Sequence, residues 1–327
     1  MKQTVKAAAI QLAVKIGDAS ANIAACERLA RQAVREGAVW IALPEFFTTG
    51  VSWNPKIADA IQGMDGPAAN FLRDFSAKHQ LVMGGSFLCR LSDGRVRNRY
   101  LCYAAGTLVG RHDKDLPTMW ENYFYEGGEP DDSGILGTYE NIRIGAAVCW
   151  EFMRTMTARR LRGQVDVVMG GSCWWSIPTN FPKFVQRLWE PANQLNAIAA
   201  VQDTARLIGA PVIHASHCGM VECPMPGLPI PYKGYFEGNA AIVDANGNVL
   251  ARRHFDQGEG IVCADIQPGA REVAEPVPGG FWLRSRGPLP VFAWHHQRWL
   301  GRRWYKRHVR KLQRPICKRQ ERGEITS

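Results

Sequence analysis

Long apolar runs are missing from this sequence: no stretch approaches the roughly 20 residues that a membrane-spanning helix requires. Disulfide patterning is missing too. The nine cysteines are odd in number and irregularly spaced, which is not a disulfide framework. Cys89, Cys102 and Cys263 sit in apolar settings, where a reduced cysteine behaves as a small core residue. Gly-rich phosphate motifs of the Walker or dinucleotide kind are absent, so no nucleotide cofactor is implied. No internal repeat and no Pro/Gly/Ser linker interrupts residues 1–280, which read as one domain followed by a tail, 281–327. The stretch Met1 to Val14 superficially resembles a signal peptide. Its apolar run is short and is interrupted by Gln11 and followed by Lys15, so it predicts a first strand instead. These features describe a cytoplasmic enzyme.

Acidic residues are outnumbered, 30 against 40 Lys and Arg, for a net charge of +10. The imbalance is local. From Trp282 to Ser327 there are thirteen Lys/Arg and two acidic residues, so the remainder of the chain is close to neutral, at about −1. The basic character therefore belongs to the tail and says nothing about the body.

Apolar periodicity and turn residues order the body. Strands are predicted at Val5–Leu12, Val39–Leu43, Leu81–Leu88, Arg97–Ala104, Leu108–Arg111, Ile144–Val148, Val165–Met169, Val212–Ala215 and Gly260–Asp265, with a hairpin over Ala240–Ala251. Helices are predicted from Ser20, as N-cap, to Arg35, from Pro67 to about His79, from Thr155 to Leu161 and from Phe184 to Leu207. Pro224 to Pro231 reads as a proline-rich loop. Alternating strands and helices, with hairpins among them, predict an α/β protein with a mixed sheet or two packed sheets covered by helices.

Three polar residues recur where predicted strands end: Glu45, Lys114 and Cys149. Taken singly, each has a plain reading, as a loop acid, a turn lysine and a core cysteine. Ligands of α/β sheets gather beyond the carboxyl ends of strands, so the three converge in principle. A free thiol has a pKa near ~8.5 and needs a base or a nearby cation to react at neutral pH. Trp150, Trp174 and Trp175 lie at the same predicted strand ends, where an indole supplies apolar area and one N–H donor to a pocket.

The segments Leu43-Pro44-Glu45-Phe46, Lys114-Asp-Leu-Pro117-Thr118-Met-Trp-Glu121 and Gly145-Ala-Ala-Val-Cys149-Trp150-Glu151, in this order and at these distances, resemble the nitrilase (carbon–nitrogen hydrolase) superfamily and its Glu-Lys-Cys triad. Weaker echoes are Gly234-Tyr-Phe-Glu-Gly238, the Asp244-Ala-Asn-Gly247 turn and Gly258-Glu-Gly260. The resemblance runs from about Lys6 to Asp265. It implies a four-layer α-β-β-α sandwich over 1–280, homodimers or higher homo-oligomers, no cofactor and no metal. It implies Cys149 as nucleophile, Glu45 as general base, and Lys114 with the Trp150 N–H as oxyanion stabilisers. Glu121, seven residues after Lys114, resembles the family's second glutamate, with Glu126 as its alternative in the substrate site. The implied substrate is a small amide or nitrile. The region Phe152-Met-Arg154-Thr departs from the nitrilase branch and leaves N-carbamoyl amino acid hydrolysis open, as does a catalytically silent scaffold.

Two patterns point elsewhere. His214 and His217 are the serious candidates for a Cys-His base, and with Cys218 and Cys223 they lack a standard zinc spacing. The tail interleaves bases with aromatics from Trp294 to Arg307, and Tyr305, Val309, Leu312 and Ile316 form a helical apolar stripe. Such a tail docks on a partner subunit, lies on an anionic surface or binds nucleic acid.

Overall fold

The computed structural model describes residues 4–284 and 287–310. Its first half contains β1 (Val5–Ala13), α1 (Ala19–Arg35), β2 (Trp40–Ala42), α2 (Lys56–Asp59), α3 (Pro67–His79), β3 (Val82–Arg90), β4 (Val96–Ala104), β5 (Thr107–Asp113), β6 (Ile135–Tyr139) and β7 (Ile142–Val148). The second contains α4 (Thr155–Leu161), β8 (Val167–Ser172), α5 (Lys183–Ile208), β9 (Val212–Cys218), β10 (Met220–Pro224), β11 (Pro231–Tyr235), β12 (Gly238–Val243), β13 (Val249–His254), β14 (Gly260–Ile266) and α6 (Pro288–His308). Short 3₁₀ turns at Met119–Tyr123 and Cys149–Met153 follow β5 and β7.

Among the described residues, twelve strands hydrogen-bond along the path β5-β4-β3-β2-β1-β9-β8-β7-β6, with β12 joining β9 and β13, and β14 joining β1. The centre is parallel (β1 with β2 and β9, β8 with β7 and β9), and the hairpins β3–β4, β4–β5 and β6–β7 are antiparallel. The ladder folds back on itself, so that β8 packs face to face on β2 and β3. Helices α1 and α3 cover the outer face of the first half, and α5 covers β9 and β12 on the second. The result is the α-β-β-α layering.

Side chains alternate across a strand, so a strand between two layers must be apolar on both faces. In β1, Ala7 and Ala9 enter the core between the sheets, while Ala8, Ile10 and Leu12 enter the core under α1 and α3. Its small residues let the layers close up. Each fully buried leucine or isoleucine here is worth about 1.5–3 kcal/mol.

Three local features differ from the sequence reading. The α1 cap is Asp18, whose carboxylate accepts from the Ala21 N–H, and not Ser20, which falls inside the first turn. The proline-rich stretch is bracketed by a two-stranded ribbon, with Pro224 paired to Pro231 at its end, where a missing N–H costs little. The tail's described part forms α6, which packs on the Met119–Tyr123 turn of its own chain. Docking of these residues is thus intramolecular, because Trp294, Tyr305 and Val309 bury themselves on the body. Leu312 and Ile316 lie outside the described residues. The eight described cysteines are free, seven of them buried. No helix among the described residues is long and apolar enough to cross a membrane.

Candidate active site

Four strand ends meet at one rim. β2 leads through Leu43-Pro44 to Glu45, β5 delivers Lys114, β7 stops at Cys149 and β8 leads to Cys173. Their approach requires glycine at the end of β8. A Cβ on Gly170 would lie 1.9 Å from the Ala147 carbonyl oxygen, and one on Gly171 2.8 Å from Pro44 Cα. Backbone strain gathers at the same place. Phe46, Met119 and Cys149 have φ of 51°, 45° and 54°, three of the eight positive-φ non-glycine residues among those described. Such conformations cost of order 1–3 kcal/mol each and persist where the surroundings impose them. Here they turn Glu45, the Glu121 segment and the Cys149 thiol towards one another.

The Lys114 ammonium is completely buried and donates to Glu45 Oε1 at 2.8 Å and to Glu121 Oε2 and Oε1 at 2.7 and 2.9 Å. Glu45 also accepts from Asn98 Nδ2 and from the Cys173 N–H, both at 2.9 Å. Glu121 is held by the Thr118 N–H and hydroxyl and by the Tyr125 hydroxyl. Cys149 Sγ and one oxygen from each glutamate lie within 4.8 Å of one another. That trio has metal-ligand chemistry, but the Lys114 ammonium already bonds both carboxylates.

Two carboxylates share one cation, so one negative charge is poorly compensated. Burial and the neighbouring Glu121 charge raise Glu45 to about 7, against the opposing pull of Lys114. Burial raises the Cys149 thiol well above its ordinary value; the Glu45 charge adds to this and Lys114 opposes it. Burial alone would lower Lys114, but Glu121 and Glu45 outweigh it and the ammonium is held protonated. The resting site therefore holds a thiol, an ammonium and a base that titrates near neutrality.

A second buried network fixes the Cys149 turn. Glu151 accepts from the Val148 N–H at 2.8 Å, from the Asp115 N–H at 3.0 Å and from His112 Nε2 at 2.9 Å, while His112 Nδ1 donates to Asp132 at 2.6 Å. Burial disfavours the imidazolium, yet the Glu151 and Asp132 carboxylates raise His112 to about 10. Burial would raise Glu151, but His112 holds it well below the usual carboxylate range. The pair ties the end of β5, next to Lys114, to the end of β7. In the sequence Glu151 is one letter of the Cys-Trp-Glu motif; its spacing of three from Val148, an N-terminal turn position, is the signal for this role.

A cavity of about 180 Å³ is walled by Trp120, Trp150, Trp174 and Trp175, chain neighbours of Glu121, Cys149 and Cys173. Trp120 stands edge-on to Trp175 at 5.0 Å. The Trp174 indole donates to Asn193 Oδ1 at 3.0 Å, and Asn193 in turn donates to Glu237 Oε1 at 2.7 Å. Glu121, not Glu126, is the glutamate on Lys114. Glu126 accepts from the Tyr305 hydroxyl at 3.0 Å and lines a separate cleft with Arg95, Arg97, Arg298 and Arg302, because the 3₁₀ turn after Thr118 carries it away from the triad. The histidine candidates are committed elsewhere: His214 to Ser172 and the Asn239 carbonyl, His217 to the Glu45 carbonyl. Burial keeps both near a pKa of about 4.

Comparison with known proteins adds an independent line. Residues 6–275 match the family model described as Carbon-nitrogen hydrolase. An aliphatic nitrilase of Rhodococcus rhodochrous is 24% identical over 302 residues, which is 84% of this chain and 79% of the nitrilase. A carbon-nitrogen hydrolase from Helicobacter pylori G27 superposes with a TM-score of 0.68 at 18% identity, covering 81% of this chain and 89% of that one. An amidase from Nesterenkonia sp. AN1, carrying acrylamide on its active-site cysteine, superposes at 0.61 and 17% identity, covering 80% and 92%. The two structural likenesses are likenesses of fold.

Proposed function

The chain belongs to the carbon–nitrogen hydrolase family, and from that premise we propose that it cleaves a non-peptide C–N bond of a small amide or nitrile through a thioester on Cys149. The observation that carries this reading is the buried Lys114 ammonium bonded to both Glu45 and Glu121, with the Cys149 thiol beside them. Glu45 takes the thiol proton as Sγ attacks the substrate carbon. Lys114 and the Trp150 N–H stabilise the charge that develops on the carbonyl oxygen. Glu45 passes its proton to the leaving nitrogen, the C–N bond breaks, and ammonia or an amine departs. Water then adds to the thioester with Glu45 again as base, and the carboxylic acid and free thiol are released. With a nitrile, addition gives a thioimidate, which one water converts to the same thioester with loss of ammonia. Glu121 acts through Lys114, which it orients.

A panel of nitriles, amides and N-carbamoyl amino acids assayed for ammonia tests the reading. We expect turnover of an amide or nitrile that Cys149→Ala abolishes. Full turnover by Cys149→Ala would sink the mechanism. A homodimer or higher oligomer is the expected working form. An apolar stripe on α5, in which Phe184, Leu188 and Leu195 are largely exposed, supports it, and sedimentation measures it.

A further inference from the structure

Helix α6 lies beyond the family-matched residues 6–275 yet forms one side of the cavity next to the triad. Phe292, Ala293, His296 and Gln297 face it, at helical spacing. The helix is firmly seated. The Trp294 indole donates to the Pro117 carbonyl at 2.9 Å, Gln297 bridges the Tyr123 hydroxyl and the Pro226 carbonyl, and the Tyr305 hydroxyl accepts from the Val96 N–H. It thereby clamps both the segment between Lys114 and Glu121 and the loop between β10 and β11.

The chemistry of the cavity is one-sided. Four tryptophans, two phenylalanines and two methionines line it, and no Lys, Arg, Asp or Glu does. Most of its polar side chains are engaged: Asn193 by Trp174 and Glu237, Tyr232 by the Ser176 carbonyl, the Ser176 hydroxyl by the Tyr235 N–H, Gln297 as above, and His296 through Nδ1 to the Gln297 amide. The arginines of α6 that approach the body, Arg298 and Arg302, line the separate cleft on another side of the helix. A carboxylate brought into the cavity would lose its hydration and meet no lysine or arginine, with His296 its one imidazole, whereas apolar groups gain by leaving water.

Resting on the hydrolase reading above, we propose that α6 supplies in cis the outer wall of the acyl pocket, and that the acyl group is bulky and uncharged, arylalkyl or branched alkyl. Substrates carrying a carboxylate there, N-carbamoyl amino acids included, are excluded.

The test uses the full-length protein with three probes, 3-phenylpropionamide, acetamide and N-carbamoylphenylalanine, each followed by ammonia release. We expect kcat/KM for phenylpropionamide to exceed that for acetamide by on the order of 100-fold, the share of discrimination that several buried methylene equivalents supply, with no turnover of the carbamoyl compound. Ala293→Trp, which fills the cavity from α6, should cut the phenylpropionamide-to-acetamide ratio about tenfold or more, and Phe292→Ala should lower it through KM. Preferred turnover of N-carbamoylphenylalanine, a wild-type preference for acetamide, or ratios unchanged in two folded variants would overturn the proposal. Should Ala293→Trp not fold, the wild-type preferences and Phe292→Ala still decide. Failure of the hydrolase reading has a different signature: no ammonia from any probe and no acyl adduct on Cys149 by mass spectrometry, which overturns both.

Discussion

Glu121 holds Lys114 at 2.7 Å with both side chains wholly buried, and it does so beside a second carboxylate, Glu45, at 2.8 Å from the same nitrogen. Burial raises the basicity of Glu45, Lys114 opposes it, and the surplus negative charge of Glu121 adds to the rise.

Removing that surplus should be visible in a pH profile. Glu121→Gln keeps the shape but deletes the charge that helps to raise Glu45. Glu45 must be unprotonated to accept the thiol proton, so activity falls on the acid side of its pKa. We expect the acid limb of kcat/KM, near pH 7 in the wild type, to move to lower pH in Glu121→Gln, with kcat reduced about 10²-fold as the lysine loses its orienting partner. An unmoved limb would separate Glu121 from the base.

The His112–Glu151 pair makes a prediction about stability. His112 is raised from 6.5 to about 10 on folding. Its contribution is therefore complete below pH 6.5 and is lost as pH rises through 10, amounting to a few kcal/mol by linkage. His112→Gln should lower Tm most at pH 6 and progressively less towards pH 10. Parallel Tm curves for the two proteins would show that the histidine is not charged.

Close approach at the rim should tolerate no methyl group. A Cβ on Gly171 would meet Pro44 Cα at 2.8 Å and the Ala215 carbonyl oxygen at 2.9 Å, both backbone atoms. Gly171→Ala should cost about 1–3 kcal/mol in denaturant unfolding, the usual range for overpacking, and displace Glu45 enough to lower kcat.

Asn193 joins Trp174 to Glu237. Asn193→Leu leaves the indole N–H and the carboxyl group without this partner, which costs about 1–3 kcal/mol. Because Trp174 forms a wall of the cavity, we expect KM for a bulky substrate to rise, and kcat to change less. Loss of kcat alone would place Trp174 in the chemistry.

Glu45 and Cys149 were legible as strand-end residues, after the apolar runs Val39 to Leu43 and Ile144 to Val148, and the family resemblance of the three motifs joined them to Lys114. Periodicity reports burial along one element, so most strands followed from it, while the four layers were what the family resemblance implied. It does not report which distant surfaces meet. Glu126 and Glu121 look alike as loop acids; the motif spacing from Lys114 favours Glu121, and the path of the turn after Thr118 carries Glu126 away. Trp120 reads as one more aromatic until Trp175 is found against it. The aromatics of α6 advertised burial without naming the surface that covers them, and that surface proved to be the chain's own body.

The bond between Trp294 and Pro117 spans 177 positions. A ribosome making this protein completes all four residues of the Lys114 cluster well before it reaches the helix that walls the cavity. A nascent chain of some 280 residues thus carries the reactive groups without their selectivity filter, and contacts of such sequence separation are slow to form. On the proposal above, discrimination between substrates waits for that helix.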